Sequence, residues 1–317
     1  MPNHLLGIDL GGTTIKVALL DERLSILQRA ARRTPAQSAA EIVETMVAQC
    51  RELLEREGLS LTDVDAIGIG TPGTVNNDTG KVIYANNLAF VDVPLRELIQ
   101  RELPVAVHLE NDANAAALAE AWLGANRGLL DSIVITLGTG VGGGVISEGR
   151  ILHGNQFAGG EVGHMVIVAG GEPCNCGRQG CWESYSAARS LMRMAREAAQ
   201  RELSSSLWEV CGRDLDALRP DHIFDLAFAG DKAAKDVYDL YIFYLQQAIV
   251  NLVSIFRPQQ IAIGGGIGNQ GERITKPLQS AAAKESYAGI YVEAPRIVST
   301  ALGADSGLFG AALLGRY

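Results

Sequence analysis

The sequence predicts an α/β protein built from two similar lobes that face each other across a cleft. Three observations predict this: 317 residues exceed what one small core needs, apolar strands alternate with helices, and a glycine-rich hairpin occurs twice. The first hairpin occupies residues 5–20, and a partial duplicate occupies residues 132–146. We expect a smaller lobe over residues 1–115, joined by a closing helix at 305–317, and a larger lobe over residues 116–304.

The individual elements follow from the hydrophobic pattern. Strands are predicted where short, apolar, β-branched runs occur: 5–10, 15–20, 66–69, 105–109, 132–137, 141–146 and 260–263. Helices are predicted where apolar residues recur at helical spacing: 38–57, 113–122, 187–203, 222–229, 233–256 and 306–314. The helix at 38–57 has the clearest limits, because Ser38 and Glu41 form a capping-box pattern and Gly58 follows its last turn.

The composition is that of an ordinary folded protein. Hydrophobic residues make up 47%, charged residues 20%, and the formal net charge is -9. Such an acidic surface repels nucleic acids and anionic membranes, and the basic residues are scattered. The most apolar stretch, 240–256, is shorter than a bilayer span and predicts a buried helix. Residues 1–6 lack the charged and apolar regions of a signal peptide. We therefore expect a cytoplasmic protein with no nucleic-acid or membrane partner.

Both hairpin turns are suited to binding phosphate. Consecutive glycines allow backbone N–H groups to approach an anion without interference from side chains. The candidate residues are Gly11, Gly12, Thr13 and Thr14 in the first turn and Gly138, Thr139 and Gly140 in the second. Lys16 adds a positive charge, and Asp9 can orient a magnesium ion or its water shell. Either turn alone could simply connect two strands, and neither is a Walker A or GxGxxG loop, so the prediction depends on their pairing.

Asp112 is the candidate catalytic base. It lies between the strand at 105–109 and the helix at 113–122, where the helix dipole favours the ionised carboxylate. In phosphoryl transfer the bond to the leaving group loosens early, so a carboxylate near its ordinary pKa can accept the hydroxyl proton late. The alternative is that Asp112 only caps the helix, since aspartate is a preferred N-cap residue. Its polar neighbours Glu110 and Asn111 favour a functional site.

A dense cluster of metal-binding residue types lies in the larger lobe. One imidazole and three thiols form a complete tetrahedral set for structural zinc: His164, Cys174, Cys176 and Cys181. The alternative is a group of buried cysteines beside a surface histidine. Zinc would bind one nitrogen of His164 and leave the other for a substrate hydroxyl. Glu161 and Glu183 flank the cluster and could accept hydrogen bonds from a substrate, or could cap helices or be solvated.

These segments together resemble the ROK family of sugar kinases and repressors, which belongs to the larger group sharing the two-lobed actin and hexokinase ATPase fold with ribonuclease H-like lobes. The resemblance covers essentially the whole chain. It depends on five motifs: 7–16, 110–114, 137–144, 159–164 and 174–183. Together the five motifs are specific to this family, whereas any one of them alone would be weak evidence for it.

The resemblance implies ATP-dependent phosphorylation of a hexose, with Asp112 as the base. It implies that magnesium accompanies ATP, that structural zinc binds at the cluster, and that the protein forms a homodimer. Implied sugar contacts are Gly73, Asn87, Asn111, Asp112, Glu161, His164 and Glu183. The register at Asn87 is ambiguous because Asn86 precedes it. Implied ATP contacts are Asp9, Gly11, Gly12, Thr13, Thr14, Lys16, Thr139, Gly140, Gly264, Gly265 and Gly266.

Within the family, the layout is most similar to that of zinc-containing bacterial glucokinases, which predicts conversion of glucose to glucose 6-phosphate. Kinases for fructose, mannose or N-acetylhexosamines such as N-acetylmannosamine share most of these motifs. A non-catalytic, sugar-sensing regulator is an alternative, although the family's repressors carry a DNA-binding domain ahead of the first hairpin, and six residues precede Gly7 here. An actin-like filament or chaperone ATPase would leave the cysteine cluster unexplained. We also expect the zinc cluster to fix His164 and Glu183 opposite Asp112, so that a structural metal shapes substrate choice without touching phosphate.

Overall fold

The computed structural model describes residues 3–35, 38–88 and 90–317, so the first two residues of the N-terminal segment lie outside it. The strands are β1 (His4–Leu10), β2 (Thr14–Leu20), β3 (Ile26–Arg33), β4 (Val64–Thr71), β5 (Thr74–Asn76), β6 (Lys81–Ala85), β7 (Phe90–Val93), β8 (Ala106–Asn111), β9 (Ser132–Leu137), β10 (Val141–Ser147), β11 (Arg150–Ile151), β12 (Gln260–Gly264) and β13 (Arg296–Ser299). The helices are α1 (Ala39–Arg56), α2 (Leu95–Glu102), α3 (Asp112–Trp122), α4 (Glu183–Ser186), α5 (Ala188–Arg201), α6 (Leu207–Val210), α7 (Pro220–Ala229), α8 (Lys232–Phe256), α9 (Gly265–Gly268), α10 (Glu272–Glu285) and α11 (Ser306–Leu313).

Two sheets of the same topology form the framework of the molecule. The first has the order β3-β2-β1-β4-β8 and the second has the order β11-β10-β9-β12-β13. In each sheet, the three strands that come first in the sequence form an antiparallel meander. The other two strands add to it in parallel, beside the first strand of that meander. This match confirms the duplication that the two glycine-rich hairpins predicted. The fold class predicted from the sequence is therefore confirmed.

Every strand and helix predicted from the sequence is present, with ends shifted by a few residues. At the start of α1, Ser38 Oγ accepts a hydrogen bond from Glu41 N at 3.3 Å, as the capping pattern predicted. Gly58, after the last turn, has a φ of +67°, which favours glycine.

Several elements were not predicted. The missed elements are β3, the small sheet β5-β6-β7, β11, β13 and the helices α2, α4, α6, α9 and α10. Strand β3 is an edge strand whose arginines form surface ion pairs: Arg29 bonds Asp305, and Arg32 bonds Glu52. The sequence pattern does not indicate a strand there, because charged and polar residues interrupt the apolar ones on this edge.

Each sheet packs against its own apolar core. The core beside the first sheet includes Met46 and Leu53 of α1, and the core beside the second includes Tyr241 and Leu245 of α8. Among the described residues, α8 is the one helix long and apolar enough to span a membrane. Its apolar residues on one side are buried in the second core, as expected of the long helix of a folded domain.

The two lobes are linked by a pair of closely crossing helices. Helix α3 leaves the first sheet and packs on β9 and β10 of the second, whereas α11 leaves the second sheet and packs on β1 and β4 of the first. The helices also contact each other, and a Cβ added to Gly310 would lie 1.8 Å from the carbonyl oxygen of Ala115. Gly68 has the same function beneath α11, because its Cβ would lie 1.7 Å from Ala311 O. Glycine is therefore required wherever these backbones meet.

Candidate active site

The carboxyl ends of β1, β4 and β8 lie side by side at one edge of the first sheet. The strands are parallel, and their register aligns Asp9 with Gly70 and Thr71 with Asn111. Asp112 follows at once as the first residue of α3. Ligands bind at this edge in open α/β sheets, because loops and helix N-termini converge there. The fold thus places the two predicted carboxylates, Asp9 and Asp112, at one edge.

The first hairpin turn is open to solvent. Gly11 N donates to Thr14 O at 3.0 Å, which closes the turn, while Gly12 and Thr13 are exposed. Asp9 and Lys16 face each other across the hairpin, with 3.3 Å between Asp9 Oδ2 and Lys16 Nζ. A partly exposed ion pair of this kind leaves both groups able to exchange partners with an ion or a phosphate.

The second hairpin turn lies next to the three glycines at the junction of β12 and α9, Gly264, Gly265 and Gly266. Gly138 N donates to Gly140 O at 3.0 Å, and Thr139 is exposed. Gly265 has a φ of +81°, and a Cβ there would lie 2.4 Å from Leu137 O, the last residue of β9. The predicted ATP-binding residues of the larger lobe are therefore neighbours in the fold.

Asn111, rather than Asp112, is the N-cap of α3. Asn111 Oδ1 accepts hydrogen bonds from Ala113 N at 2.9 Å and from Asn114 N at 3.2 Å. Asn111 Nδ2 donates to Gly73 O at 3.1 Å, so the same side chain holds the Gly73 loop against the start of the helix. Asp112 Oδ1 also accepts from Ala113 N at 2.8 Å, which orients its carboxylate. Because Asn111 caps the helix, capping alone does not account for Asp112.

The pKa of Asp112 differs from the sequence-based expectation. We expected a carboxylate near its ordinary pKa, held ionised by the helix N-terminus, but the pKa is raised to about 6. Burial is the main cause, and repulsion from Asp9 and Glu161 adds to it, while the hydrogen bond from Ala113 opposes it. Desolvation and like charges thus outweigh the helix terminus. A carboxylate of raised pKa is a stronger base once it is ionised.

Glu161 and His164 lie together on a short 3₁₀ turn that packs against β10. His164 N donates to Glu161 O at 3.1 Å. Loss of hydration raises the pKa of the Glu161 carboxyl, and Glu183 raises it further by repulsion, whereas His164 lowers it. The negative charge of Glu161 also raises the pKa of Asp112, so this turn is close enough to the start of α3 to interact with it electrostatically. These predicted sugar-binding groups therefore approach Asp112 from the larger lobe.

Of the remaining predicted sugar-binding residues of the smaller lobe, Asn87 lies beside the first hairpin and Gly73 lies against β6. A Cβ placed on Gly12 would lie 3.3 Å from Asn87 Cβ. Gly73 has a φ of +93°, and a Cβ there would lie 2.1 Å from Tyr84 O, so glycine is required at that turn. Gly73 thus lies in the loop that follows β4, and Asn87 lies in the segment that follows β6.

Glu183 is placed beneath the second hairpin turn. Its Oε2 accepts a hydrogen bond from Val141 N at 3.0 Å, and a Cβ on Gly140 would lie 2.4 Å from that same oxygen. Its Oε1 accepts from Arg189 Nη2 at 3.0 Å. Glu183, a predicted sugar contact, therefore contacts the second hairpin turn directly, and that turn is the one predicted to bind phosphate.

The four predicted metal ligands converge on one point. Their ligand atoms all lie within 4.8 Å of one another: His164, Cys174, Cys176 and Cys181. Two of the separations are 3.6 Å, between His164 Nδ1 and Cys174 Sγ and between Cys176 Sγ and Cys181 Sγ. A tetrahedral ion with Zn–S of about 2.3 Å and Zn–N of about 2.0 Å separates its ligands by roughly 3.5–3.8 Å. The donor set and the spacing both fit zinc.

Three further residues form a network around one buried carboxylate, and sequence reasoning did not assign them to the site. Glu110 is 2% exposed, and its Oε2 accepts from His153 Nε2 at 2.7 Å and from Asn77 Nδ2 at 2.8 Å. Glu110 stands out in the sequence as a charged residue next to Asn111. His153 and Asn77 lie in loops without a recognisable motif, so their partners depend on the tertiary fold.

Comparison with known proteins identifies the family of this chain. The sequence profile of the ROK family matches residues 5–316. The chain is 37% identical to a glucokinase of Halalkalibacterium halodurans over 316 residues, covering 96% of this chain and 92% of the relative. It is 36% identical to a glucokinase of Thermotoga maritima over 313 residues, covering 97% and 96%. A crystal structure of a ROK family glucokinase from Streptomyces griseus, in complex with glucose and AMPPNP, superposes with a TM-score of 0.87, 33% identity and 99% coverage of both chains. Since these matches span nearly all of the sequence, the chain belongs to the ROK family.

Proposed function

We propose that this protein transfers the terminal phosphoryl group of ATP to a hexose, and that glucose, phosphorylated at its 6-hydroxyl, is the main substrate. Relatives named glucokinase at 36–37% identity over almost the whole chain support this choice. The observation that carries the proposal is the placement of Asp112. Its carboxylate lies at the strand edge where both lobes converge, and the neighbouring Asn111 caps the helix.

In the proposed reaction, Asp112 orients the attacking hydroxyl and accepts its proton as the new bond to phosphorus forms. The exposed turns at Gly12 and Thr139 hold the phosphates from the two lobes through backbone N–H groups and hydroxyls. Magnesium, when bound with ATP, would supply positive charge to neutralise the phosphate charge that develops. Asp9 and Lys16 stand beside the first turn, where they bind the hydrated ion and a phosphate oxygen respectively. Closure of the lobes excludes water, which would otherwise compete with the sugar.

The sugar is held between the loops of both lobes in this proposal. Asn111 and the Gly73 loop contribute from the smaller lobe, while Glu161, His164 and Glu183 contribute from the larger lobe. Carboxylates and an imidazole are suited to accepting hydrogen bonds from several hydroxyl groups at once. We further propose that the lobes divide near residues 115 and 305, at the crossing of α3 and α11, so that these helices form the hinge.

The cysteine and histidine cluster binds structural zinc in this proposal. All four positions are occupied by protein ligands, which is typical of structural rather than catalytic zinc. Zinc would fix the loop that carries Glu183 and the turn that carries His164. Its role would be structural: it would hold Glu183 and His164 in place, and it would take no direct part in phosphoryl transfer.

The active form is proposed to be a cytoplasmic homodimer. Helix α8 exposes Leu240, Phe243 and Ile255, although its other side is buried in the larger lobe. Exposed apolar side chains along a long helix favour burial against a second copy. Sedimentation velocity of the wild type and of Phe243→Glu tests this, since the charged variant should shift a dimer toward monomer. A wild-type protein that sediments as a monomer at micromolar concentration would rule out the dimer.

A panel assay tests the proposed activity. Release of ADP is measured with ATP, magnesium and each of glucose, mannose, fructose, N-acetylglucosamine and N-acetylmannosamine, and we expect the highest kcat/KM with glucose. A higher value for an N-acetylhexosamine would reassign the substrate within the kinase class. Calorimetric binding of a sugar without turnover of any member would instead identify a sugar-sensing protein.

A further inference from the structure

An ion pair connects the two lobes beside the candidate catalytic base. His153 follows β11 of the second sheet, and Glu110 lies at the end of β8 in the first sheet. Their side chains meet with 2.7 Å between His153 Nε2 and Glu110 Oε2. The side chain of Glu110 is 3% exposed and that of His153 is 24% exposed, so the contact is largely shielded from solvent. A shielded, charge-assisted hydrogen bond is stronger than the surface ion pairs found elsewhere on this protein.

The acceptor of this pair is held rigidly at the start of α3. Glu110 Oε1 accepts from Asn111 N at 2.8 Å and from Asn114 Nδ2 at 3.1 Å. Its other oxygen, Oε2, accepts a hydrogen bond from Asn77 Nδ2 at 2.8 Å in addition to the one from His153. Four donors thus converge on one carboxylate, and Asn111 and Asn114 belong to the same strand–helix junction as Asp112. Glu110 therefore cannot move without disturbing the junction that presents the base.

The donor, in contrast, belongs to a segment with an unusual backbone. Between His153 and Glu161, positive φ angles occur at Gly154 (65°), Gln156 (55°), Phe157 (60°) and Gly160 (83°). Two of these are not glycine, and such conformations cost on the order of 1 kcal/mol each unless the surroundings hold them. Within the segment, Gly159 N donates to His153 O at 2.8 Å, and the Phe157 ring packs edge-on against the His153 ring at 5.5 Å. His153 thus attaches the strained segment to the other lobe through a charge-assisted hydrogen bond, beside the contact that residues 155–157 make with β5.

We propose that His153 is a positioning residue for the sugar: by pairing with Glu110 across the lobes, it fixes segment 153–161 and so sets where Glu161 meets the hexose. This inference rests on the proposed hexose kinase activity. His153 itself does not touch the reacting atoms in this arrangement. Its loss should weaken sugar binding more than it slows the chemical step.

Protonation of His153 contributes to the pairing. The hydrogen bond to Glu110 raises the pKa of His153, partial burial opposes this, and the charges of Glu110 and Asp78 raise it further. Burial acts to raise the pKa of Glu110, but hydrogen bonds and charge from His153, with the bonds from Asn114 and Asn111, lower it overall. Glu110 and Asp78 are the charged groups that face His153, from β8 and from the turn after β5 respectively. Both groups are therefore charged between the lowered pKa of Glu110 and the raised pKa of His153, and the pair weakens as pH rises through the latter.

Steady-state kinetics and amide hydrogen exchange together test the proposal. For His153→Ala we expect the glucose KM to rise about tenfold, which corresponds to loss of a charge-assisted hydrogen bond, with kcat changed less than about threefold and the ATP KM unchanged. For His153→Gln, which keeps an N–H donor but not the charge, we expect a smaller rise. The wild-type glucose KM should increase at alkaline pH, and this dependence should be absent in His153→Ala.

Hydrogen exchange provides a readout that does not depend on turnover. Without substrates, the backbone amides of residues 152–161 should exchange faster in His153→Ala than in the wild type. The exchange rates of the α1 amides should be the same in both proteins. The matched control is His4→Gln, at the amino end of β1 and far from the cleft, which should match the wild type in both assays. Unchanged exchange in His153→Ala would overturn the attachment of the segment, and an unchanged glucose KM would overturn its effect on the sugar. If the wild type phosphorylates no hexose, the proposed function fails, and hydrogen exchange still decides whether His153 holds the segment.

Discussion

The carboxylate of Glu183 accepts a hydrogen bond from the backbone N–H of Val141 at 3.0 Å, which joins the end of the cysteine-rich loop to the second hairpin turn. A second hydrogen bond joins the same regions, from Ala188 N to Gly138 O at 2.8 Å. Glu183 follows Cys181 by two residues, so the cysteine and histidine cluster is connected to the turn that is predicted to bind phosphate. A residue predicted to bind the sugar therefore also supports a turn predicted to bind the nucleotide.

Removal of this support should weaken ATP binding. In Glu183→Ala, the Val141 N–H loses its acceptor and the space beneath Gly140 is emptied, which costs about 1–2 kcal/mol. We expect the ATP KM to rise roughly 5- to 30-fold, together with the glucose KM. The control is Glu197→Gln on the surface of α5, where the carboxylate forms only exposed ion pairs with Arg193 and Arg201. A rise confined to the glucose KM would show that the bond to Val141 has no part in holding ATP.

Replacement of the candidate base should separate binding from catalysis. Asp112→Asn keeps the shape and the hydrogen bond from Ala113 N but cannot accept a proton, so kcat should fall by about 10²–10⁴. Glucose affinity, measured by calorimetry without ATP, should stay within about threefold of the wild type. The matched control is Asp216→Asn, an exposed aspartate paired with Arg196. Retention of most of the activity by Asp112→Asn would exclude Asp112 as the base.

The same variant should be more stable than the wild type at neutral pH. The pKa of Asp112 is raised to about 6 in the folded protein, above its ordinary 3.8, so the folded state binds the proton more tightly. Ionised Asp112 therefore costs stability above pH 6 and costs nothing below about pH 4. Allowing for partial screening by solvent, Asp112→Asn should raise the free energy of unfolding at pH 8 by on the order of 1–2 kcal/mol. Denaturant unfolding at pH 8 and pH 4 measures this, and an equal effect at both pH values would contradict it.

Local signals in the chain predicted most of the framework and the chemical residue types. The two hairpins, the strand before Asp112 and the four metal ligands each occupy short segments with a recognisable pattern. The pKa of Asp112 could not be predicted in this way, because it depends on Asp9 and Glu161, which approach only in the folded protein. Likewise, His153 and Glu110 are 43 residues apart, and neither periodicity nor spacing indicates that they pair.

The pH dependence of activity should report the environment of Asp112. The base must be ionised, so kcat/KM for glucose should fall as pH decreases through about 6. Because Glu161 contributes to the raised pKa, Glu161→Gln should move this acidic limb to lower pH, whatever its effect on the maximum rate. Glu197→Gln again serves as the control and should leave the limb in place. An acidic limb near pH 4 in the wild type would mean that Asp112 is not desolvated in solution.

Loss of a metal ligand should release zinc and weaken both substrate sites. Cys181 is fully buried, and in Cys181→Ser we expect less than about a tenth of the wild-type zinc by elemental analysis, together with a lower melting temperature. The matched control is Cys211→Ser, where the hydroxyl can replace the thiol that donates to Leu207 O at 3.0 Å. That variant should keep its zinc. A wild-type protein purified without near-stoichiometric zinc, and insensitive to chelators, would refute the structural metal.

The crossing of α3 and α11 should tolerate no side chain at Gly310. A Cβ there would lie 1.8 Å from Ala115 O, and backbone on both sides leaves no flexible group to move aside. We expect Gly310→Ala to separate the helices that connect the lobes and to lower the free energy of unfolding by about 3 kcal/mol or more. Gly128→Ala isolates the backbone contribution: Gly128 has a φ of +78° with nothing within 4 Å of its added Cβ, so only about 1 kcal/mol should be lost. Denaturant unfolding of both variants measures the difference, and equal losses would mean that the helices can part without cost. Since α3 carries Asp112 and α11 packs on the strand that carries Asp9, the spacing at Gly310 also sets the distance between the lobes at the site.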